Sequence, residues 1–385
     1  MRSCGSDLCD SYTKEAVNEF ALQRLHLTPE TLGKSENDVP SVVRDIGGLQ
    51  YGGHLDELFS RFEDFKLEWF DRWYGDHTLI EGHVLRGALR IVDAGDYPFY
   101  FKATRSVARR RRYQNCPAAL GENHALASRL LHDHGPLTIN EFKELFNVKH
   151  PQCGSRTGRL LQDLYNYGEA ARVGRKKQKP LFHAIEKLPY KLDMAPVTEG
   201  EAMEWLLLKC LAVHGPFTVR DVAHWVGWNL TETRETLRGL VADGRVVHVN
   251  VEGDRDSNYI GVEDVPFLNS LAEGIPERSF VRILFNDDAL LLGCYKRLES
   301  YFGYAWEYPQ FRDGVVWRAA ILKGRELLGK ADVEVYAKSP SYRLRSLTLR
   351  EELADSETVS TVEEEFRRHA DFKGKTLMTA EPRLV

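Results

Sequence analysis

The pentapeptide His134-Gly135-Pro136-Leu137-Thr138 returns, nearly letter for letter, as His214-Gly215-Pro216-Phe217-Thr218. Each copy comes after an apolar stretch, 126–131 in the first case and 206–213 in the second, and each precedes a segment with helical spacing. Such a repeat marks a duplicated structural module. The local chemistry says which module. Proline lacks an N–H and drives the residue before it out of the helical region, so Gly-Pro ends one helix. The threonine hydroxyl then caps the next. Helix, sharp break and capped helix open a helix-turn-helix.

The segments downstream of each copy complete the pattern. After the first, a basic helix is predicted over 155–167, with Leu160, Leu161 and Leu164 on one face. Gly168-Glu169 ends it, 171–173 reads as a strand, 174–180 as a polar loop and 181–185 as the return strand. After the second copy, a helix over 231–241 presents Leu237, Leu240 and Val241, and Asp243-Gly244 turns the chain into strands over 245–251 and 258–261. A helix-turn-helix followed by a hairpin is a winged helix; a pair of generic small α+β modules is the bland alternative. The N-terminal part has a related order. Helices are predicted over 15–26 (Val17, Phe20, Ala21 and Leu25 as its stripe), 39–49, 55–62 and 67–74, then strands over 77–85 and 88–92 with Arg86-Gly87 as the turn.

The expected fold is therefore α+β, three tandem winged-helix domains followed by a small C-terminal β-rich domain. A disordered 1–13 precedes winged helices at 14–104, 118–192 and 198–265, with a basic linker over 105–117. The β-rich part covers 275–350, with strands expected over 281–285, 304–308, 315–322 and 331–336. Residues 351–385 supply a helix near 361–369 and a tail.

Composition agrees with a folded protein of several domains: 385 residues at ~100–200 per domain, 43% hydrophobic and 28% charged. No apolar run approaches the ~20 residues of a membrane span. The N-terminus carries Asp7, Asp10 and Glu15 and no apolar core of a signal peptide. Six scattered cysteines (Cys4, Cys9, Cys116, Cys153, Cys210, Cys294) lack metal-ligand spacing and read as reduced thiols, which suits a cytoplasmic protein. His77 and His83 have no partners in sequence, so no metal site is expected. Trp69, Phe70, Trp73 and Tyr74 at helical spacing, and Trp225 and Trp228, read as core before they read as base-stacking platforms.

The net charge of −5 hides an uneven distribution. Residues 100–190 hold 17 Lys/Arg against 7 Asp/Glu, leaving 35 against 50 elsewhere. A basic middle in an acidic chain fits a localised phosphate-binding surface. One run is Arg105-Ser106-Val107-Ala108-Arg109-Arg110-Arg111-Arg112. The other, within 172–179, carries Arg175, Lys176, Lys177 and Lys179 on the expected wing. Charge runs are often only solvated faces, but a wing tip commonly touches DNA backbone.

Several stretches resemble the AlkZ/YcaQ family of winged-helix DNA glycosylases. Val281-Arg282-Ile283-Leu284, then Asp288-Ala289-Leu290-Leu291-Leu292-Gly293 and Arg297, is similar to the family's VRLL…FDxLLLG…R. Arg297-Leu298-Glu299, Phe302-Gly303-Tyr304 and Glu307-Tyr308 resemble RLExLFGFxYxxEYY. The stretch 314–322 with Gly329-Lys330-Ala331-Asp332 resembles GYYVLP…GRADL. Near the N-terminus, Gly48-Leu49-Gln50 is similar to GLLQ, and Leu85-Arg86-Gly87-Ala88-Leu89-Arg90 to LMRGTLH. The resemblance covers most of 15–369.

It implies hydrolysis of the N-glycosidic bond of alkylated purines, bulky adducts and crosslinks included, on double-stranded DNA, by a cofactor-free monomer. A cationic N7-alkylpurine is already a good leaving group, so the enzyme has chiefly to stabilise an oxocarbenium-like sugar and orient a water. The family motif for this is Gln-x-Gln or Gln-x-Asp. Here it reads Gln50-Tyr51-Gly52. The first amide is present and the second polar group is missing. The Thr and His of the family's RGTLH are replaced by Ala88 and Arg90. His54, after the flexible glycines 52 and 53, is the candidate to supply the second group. Gln50 and His54 are thus the catalytic candidates, and Arg86, Arg90, Arg109, Arg110, Arg111, Arg112, Arg175, Lys176, Lys177 and Lys179 the DNA-binding ones. The alternative is a non-catalytic winged-helix DNA-binding protein that has lost the catalytic pair.

Overall fold

The computed structural model describes residues 11–112, 122–149, 157–177, 179–188, 196–293, 295, 297–305, 307, 316–336, 338–378 and 382–384, with only the backbone of 105–112. One element order recurs three times: helix, short strand or bridge, two helices, hairpin. The first unit comprises α1 (Lys14–Arg24), α2 (Val39–Asp45), β1 (Leu49–Gln50), α3 (His54–Phe59), α4 (Leu67–Gly75), β2 (Leu79–His83) and β3 (Leu89–Asp93). A long helix, α5 (Tyr97–Arg112), leads to the second: α6 (Glu122–His134), β4 (Leu137–Thr138), α7 (Ile139–Lys149), α8 (Thr157–Tyr167), β5 (Ala170–Lys176) and β6 (Lys179–Ala184). The third is α9 (Glu199–His214), a Phe217–Tyr259 bridge, α10 (Val219–Val226), α11 (Leu230–Ala242), β7 (Val246–Val249) and β8 (Asn258–Gly261). The chain continues through α12 (Val265–Glu273), β9 (Val281–Phe285), α13 (Ala289–Gly293), α14 (Leu298–Phe302), β10 (Val316–Lys323), β11 (Glu326–Val335), β12 (Ser341–Leu349), α15 (Ser356–Phe372), β13 (Thr376–Met378) and β14 (Pro382–Leu384).

The repeated pentapeptide does in both copies what its chemistry requires. Gly135 N–H closes α6 on the Leu131 carbonyl, and Gly215 N–H closes α9 on Leu211. Thr138 and Glu141 exchange reciprocal bonds at the next turn, and Thr218 and Asp221 do the same ahead of α10. Each such cap satisfies two amide donors that a helix start leaves free.

The units are consecutive in sequence but not in space. The first and third share one apolar core, in which Phe20, Val92 and Tyr100 meet Leu206, Trp225 and Leu290. The second keeps its own core around Phe142, Phe146 and Phe182. It joins the first through a continuous six-stranded sheet, β1-β3-β2-β5-β6-β4, with Glu81 opposite Arg172 at the seam. The C-terminal sheet, ordered β13-β12-β11-β10-β9 with β14 also on β12, packs its own core against α15.

Several sequence expectations are corrected. Tyr12 is fully buried, hydrogen-bonded to Asn250 and Asn269, and Thr13 caps α1, so order begins before residue 14; residues 1–10 lie outside the described part. The helix expected over 39–49 stops at Asp45, because Gly47 and Gly48 take positive φ and release Leu49-Gln50 into a strand. The basic run expected as linker is, through Arg112, the end of α5; 113–117 lie outside the described residues. The polar loop over 174–180 is mostly paired strand, β5 running to Lys176 and β6 starting at Lys179. No strand forms at Tyr304, Ala305 or Glu307, and Trp306 and Tyr308 are not described. The nine-residue β12 is not among the strands the sequence leads one to expect. Its alternation of Tyr342, Leu344, Leu347 and Leu349 with exposed arginines is interrupted by a register shift opposite Asp332/Val333.

Candidate active site

Gln50 ends β1, its Cα paired with that of Arg90 on β3. It is half-buried and lines a cavity of about 600 Å³ with Arg86, Gly87, Ala88, Ala223, His224, Gly227, Trp228, Asp287 and Leu292. The walls thus come from the first unit, from α10 of the third, and from the loop after β9. Three distant parts of the chain are needed to close it.

Beneath Gln50 lies a buried polar layer. The Glu57 carboxylate accepts from the backbone N–H of Ala289 at 2.8 Å and, at 3.4 Å, from that of Gln50. Arg61 forks onto Asp288 and stands 3.7 Å from Glu57. Burial, opposed by Arg61 and reinforced by Asp288, pushes the Glu57 carboxyl up to about 7. Arg90 is buried beside it and donates to the Gly48 carbonyl at 2.9 Å. Its guanidinium braces the Gln50 strand from below and is not a surface group that DNA backbone reaches.

Neither Gly52 nor His54 supplies the second polar group that the sequence leads one to seek there. Gly52 has φ +111° and is exposed, and a Cβ there would meet nothing within 4 Å. His54 does not line the Gln50 cavity. It stacks on Tyr51 at 5.4 Å and tilts against Phe70 at 5.0 Å, and its Nδ1 accepts the Gly52 N–H at 3.3 Å. Burial lowers it to about 4, so it is a neutral packing group at the start of α3.

Arg86 does face the cavity. It has φ +56°, rare for a side-chain-bearing residue, and its Nη1 lies 3.1 Å from His224 Nε2. Arg175 is turned inward: it clasps the fully buried Glu81 at 3.0 and 3.2 Å, stacks 4.0 Å over Tyr51, and shares Glu81 with Tyr74 and Arg172. Lys176 is exposed and pairs with Glu141 at 2.6 Å, while Lys177 and Lys179 are exposed at the hairpin tip. The side chains of Arg109, Arg110, Arg111 and Arg112 lie outside the described residues. The aromatic cluster packs as expected: Phe70 and Trp225 are buried, Trp73 donates to the Glu36 carbonyl, and Trp228 to that of Ala103. Among the described residues no group of His, Cys, Asp and Glu has metal-site geometry, and Cys210 is a buried free thiol.

Sequence reasoning missed Asp287, His224 and Trp228 as cavity wall. The one available signal was Asp287-Asp288, two acids inside the apolar stretch 281–293.

The model of the DNA glycosylase AlkZ-like family matches residues 43–372. The chain belongs to that family. Streptomyces sahachiroi DNA glycosylase AlkZ has the same fold, with a TM-score of 0.70 over 97% of this chain and 100% of that one, at 17% identity. A search of the curated proteins found no match. Family membership makes DNA the partner, and among the described residues no helix is long and apolar enough to cross a membrane. In this AlkZ-like chain Gln50 stands at the cavity wall, and Gly52, two residues on, presents an open, side-chain-free position.

Proposed function

We propose that the protein is a monofunctional DNA glycosylase that hydrolyses the N-glycosidic bond of alkylated or crosslinked purines. The observation that carries this reading is Gln50 at the wall of the 600 Å³ cavity. That volume lies within the about 300–1,000 Å³ of small-molecule sites and suits an extruded base with its adduct. In this reading Gln50 orients the attacking water and Arg86 faces the phosphate beside the lesion. The three repeated units are winged helices over 14–104, 118–192 and 198–265, and the 275–350 domain closes the pocket. Lys176, Lys177, Lys179 and the Arg109–Arg112 run meet DNA backbone. The protein works as a cytoplasmic monomer without a cofactor.

One observation favours a second reading, a DNA-binding protein without catalysis: Gly52 brings no side chain and His54 is held in an aromatic stack. Incubation with duplexes carrying N7-methylguanine or a nitrogen-mustard crosslink decides. Abasic sites, lost in Gln50→Ala, are the result expected for the glycosylase; intact binding with no base released establishes the second reading.

A further inference from the structure

Resting on the glycosylase reading, one requirement is unmet by Gln50 alone. Water attacking the sugar must shed a proton, and an amide can orient that water but cannot hold its proton. The cavity contains two other candidate acceptors, His224 and Asp287. The His224 Nε2 already faces the Arg86 guanidinium at 3.1 Å, so its lone pair is engaged by a cation.

Asp287 differs. It sits on the loop between β9 and α13 and lines the same cavity as Gln50. Its neighbour Asp288 accepts from Arg61 and from the Leu290 N–H, yet among the described residues no donor is hydrogen-bonded to the Asp287 carboxylate. Gly53, three residues past Gln50, makes room for it: a Cβ there would stand 2.9 Å from Asp287 Cβ and 3.3 Å from its Oδ2. In the motif FDxLLLG this Asp occupies the place of the Phe. The amide or carboxylate that the resemblance leads one to expect at position 52 is therefore absent, while a carboxylate from the β-rich domain lines the cavity with Gln50.

We propose that Asp287 is the general base of this enzyme, replacing the missing second side chain of the Gln50-Tyr51-Gly52 motif. Water held by Gln50 attacks C1′ of the lesion nucleotide, and its proton passes to the Asp287 carboxylate and then to solvent. The C1′–N bond breaks with its electron pair going to the purine, which leaves neutral because it began as a cation. An abasic sugar remains. The surroundings suit the task. Burial raises the Asp287 carboxyl above its ordinary value, Arg90 on β3 opposes that rise, and Asp56 on α3 adds to it. Arg86 and His224 line the same cavity. The group is thus a stronger base than a surface aspartate.

The test is single-turnover base release from N7-methylguanine duplex by the full chain, with Asp287→Asn beside the wild type. The variant is expected to lose about 100-fold or more in rate, while binding lesion DNA as tightly as the wild type or tighter, since a negative charge has been removed. The wild-type rate is expected to fall on acidification as the Asp287 carboxylate takes up a proton, with that limb absent from the residual activity of Asp287→Asn. Should Asp287→Asn fail to fold, the wild-type acid limb and Gly53→Ala, which pushes the carboxylate out of place, still decide. A rate that survives Asp287→Asn, or a wild-type rate that stays flat on acidification, overturns the assignment alone. No release by the wild type overturns the glycosylase reading itself.

Discussion

Arg61 and Asp288, 227 residues apart, form a two-pronged ion pair in the interior, Nη1 to Oδ2 at 2.6 Å and Nη2 to Oδ1 at 3.1 Å, with both side chains essentially unexposed. Arg61 comes just after α3 of the first unit, and Asp288 opens α13 behind the C-terminal sheet. The pair therefore fixes the loop carrying Asp287 against the end of α3, whose Glu57 accepts the Gln50 N–H. Removing one member leaves the other charged and dry, which costs about 3–5 kcal/mol. Arg61→Met and Asp288→Leu are each expected to lower the urea midpoint by that order. The double variant leaves neither member of the pair orphaned, although Glu57 still loses Arg61, and should recover part of the loss. Equal losses in singles and double would mean that the pair has no such coupling.

The exposed cations and the inward-turned ones should separate in a salt titration. Lys177 and Lys179 are exposed at the hairpin tip, whereas Arg175 is committed to Glu81. Each phosphate contact contributes about −0.9 to the slope of log K against log salt. Lys177→Ala with Lys179→Ala is expected to flatten the slope by up to about 2 and to leave the melting temperature alone. Arg175→Ala should do the reverse, since it leaves Glu81 buried with weaker compensation from Arg172 at 3.9 Å. A slope unchanged by the lysine pair would remove the hairpin tip from the DNA-binding surface.

The duplicated pentapeptide also makes a prediction, because its second histidine became a core residue. His214 stacks face to face on Phe217 at 5.2 Å and meets Trp225 edge-on at 5.8 Å. A Cβ at Gly293 would run into its imidazole. Gly293→Ala is therefore expected to destabilise by about 1–3 kcal/mol through overpacking, measured by urea unfolding. A neutral result would show that the imidazole moves aside freely.

These cases show which parts of the molecule the sequence discloses. Caps and helix breaks are local, so Thr138, Thr218 and the glycines of the same pentapeptides can be read directly from their neighbours. Burial of Arg90 and Arg175 cannot, because it depends on Gly48 and Glu81, which strand pairing brings up from elsewhere in the chain. The same holds for the site. Gln50 is legible through its motif. Asp287 is not, since only the packing of the C-terminal sheet against the first unit places it in that cavity. His54 fails as a candidate because Tyr51 and Phe70 offer its ring more contact than an open turn does.

Stability should decline on the acid side of neutrality. Burial lowers His54 to about 4 and His214 to about 3, and burial also lowers His369, whose ring lies between Tyr342 and Asp56. Because these folded values lie below the ordinary 6.5, the unfolded chain binds protons first as the pH falls through 6.5, and folding loses free energy. Glu57 acts oppositely: raised to about 7, it takes up its proton in the folded state before the unfolded chain does, which offsets part of the loss between about 7 and 4.5. Asp56 enters later. Burial would raise it, but His369 and Lys373 hold it at about 2, so its contribution is lost only as the pH falls from 3.8 toward 2. His183 is also lowered by burial, while burial raises Asp96, Asp163, Asp264 and Asp287 from 3.8 in the same sense as Glu57. With the large histidine shifts dominating, the urea midpoint is expected to be lower at about pH 5 than at about pH 7.5. His54→Phe, which keeps the stack on Tyr51, should shrink that difference. An unchanged difference would mean that His54 keeps its ordinary affinity for protons in the folded chain.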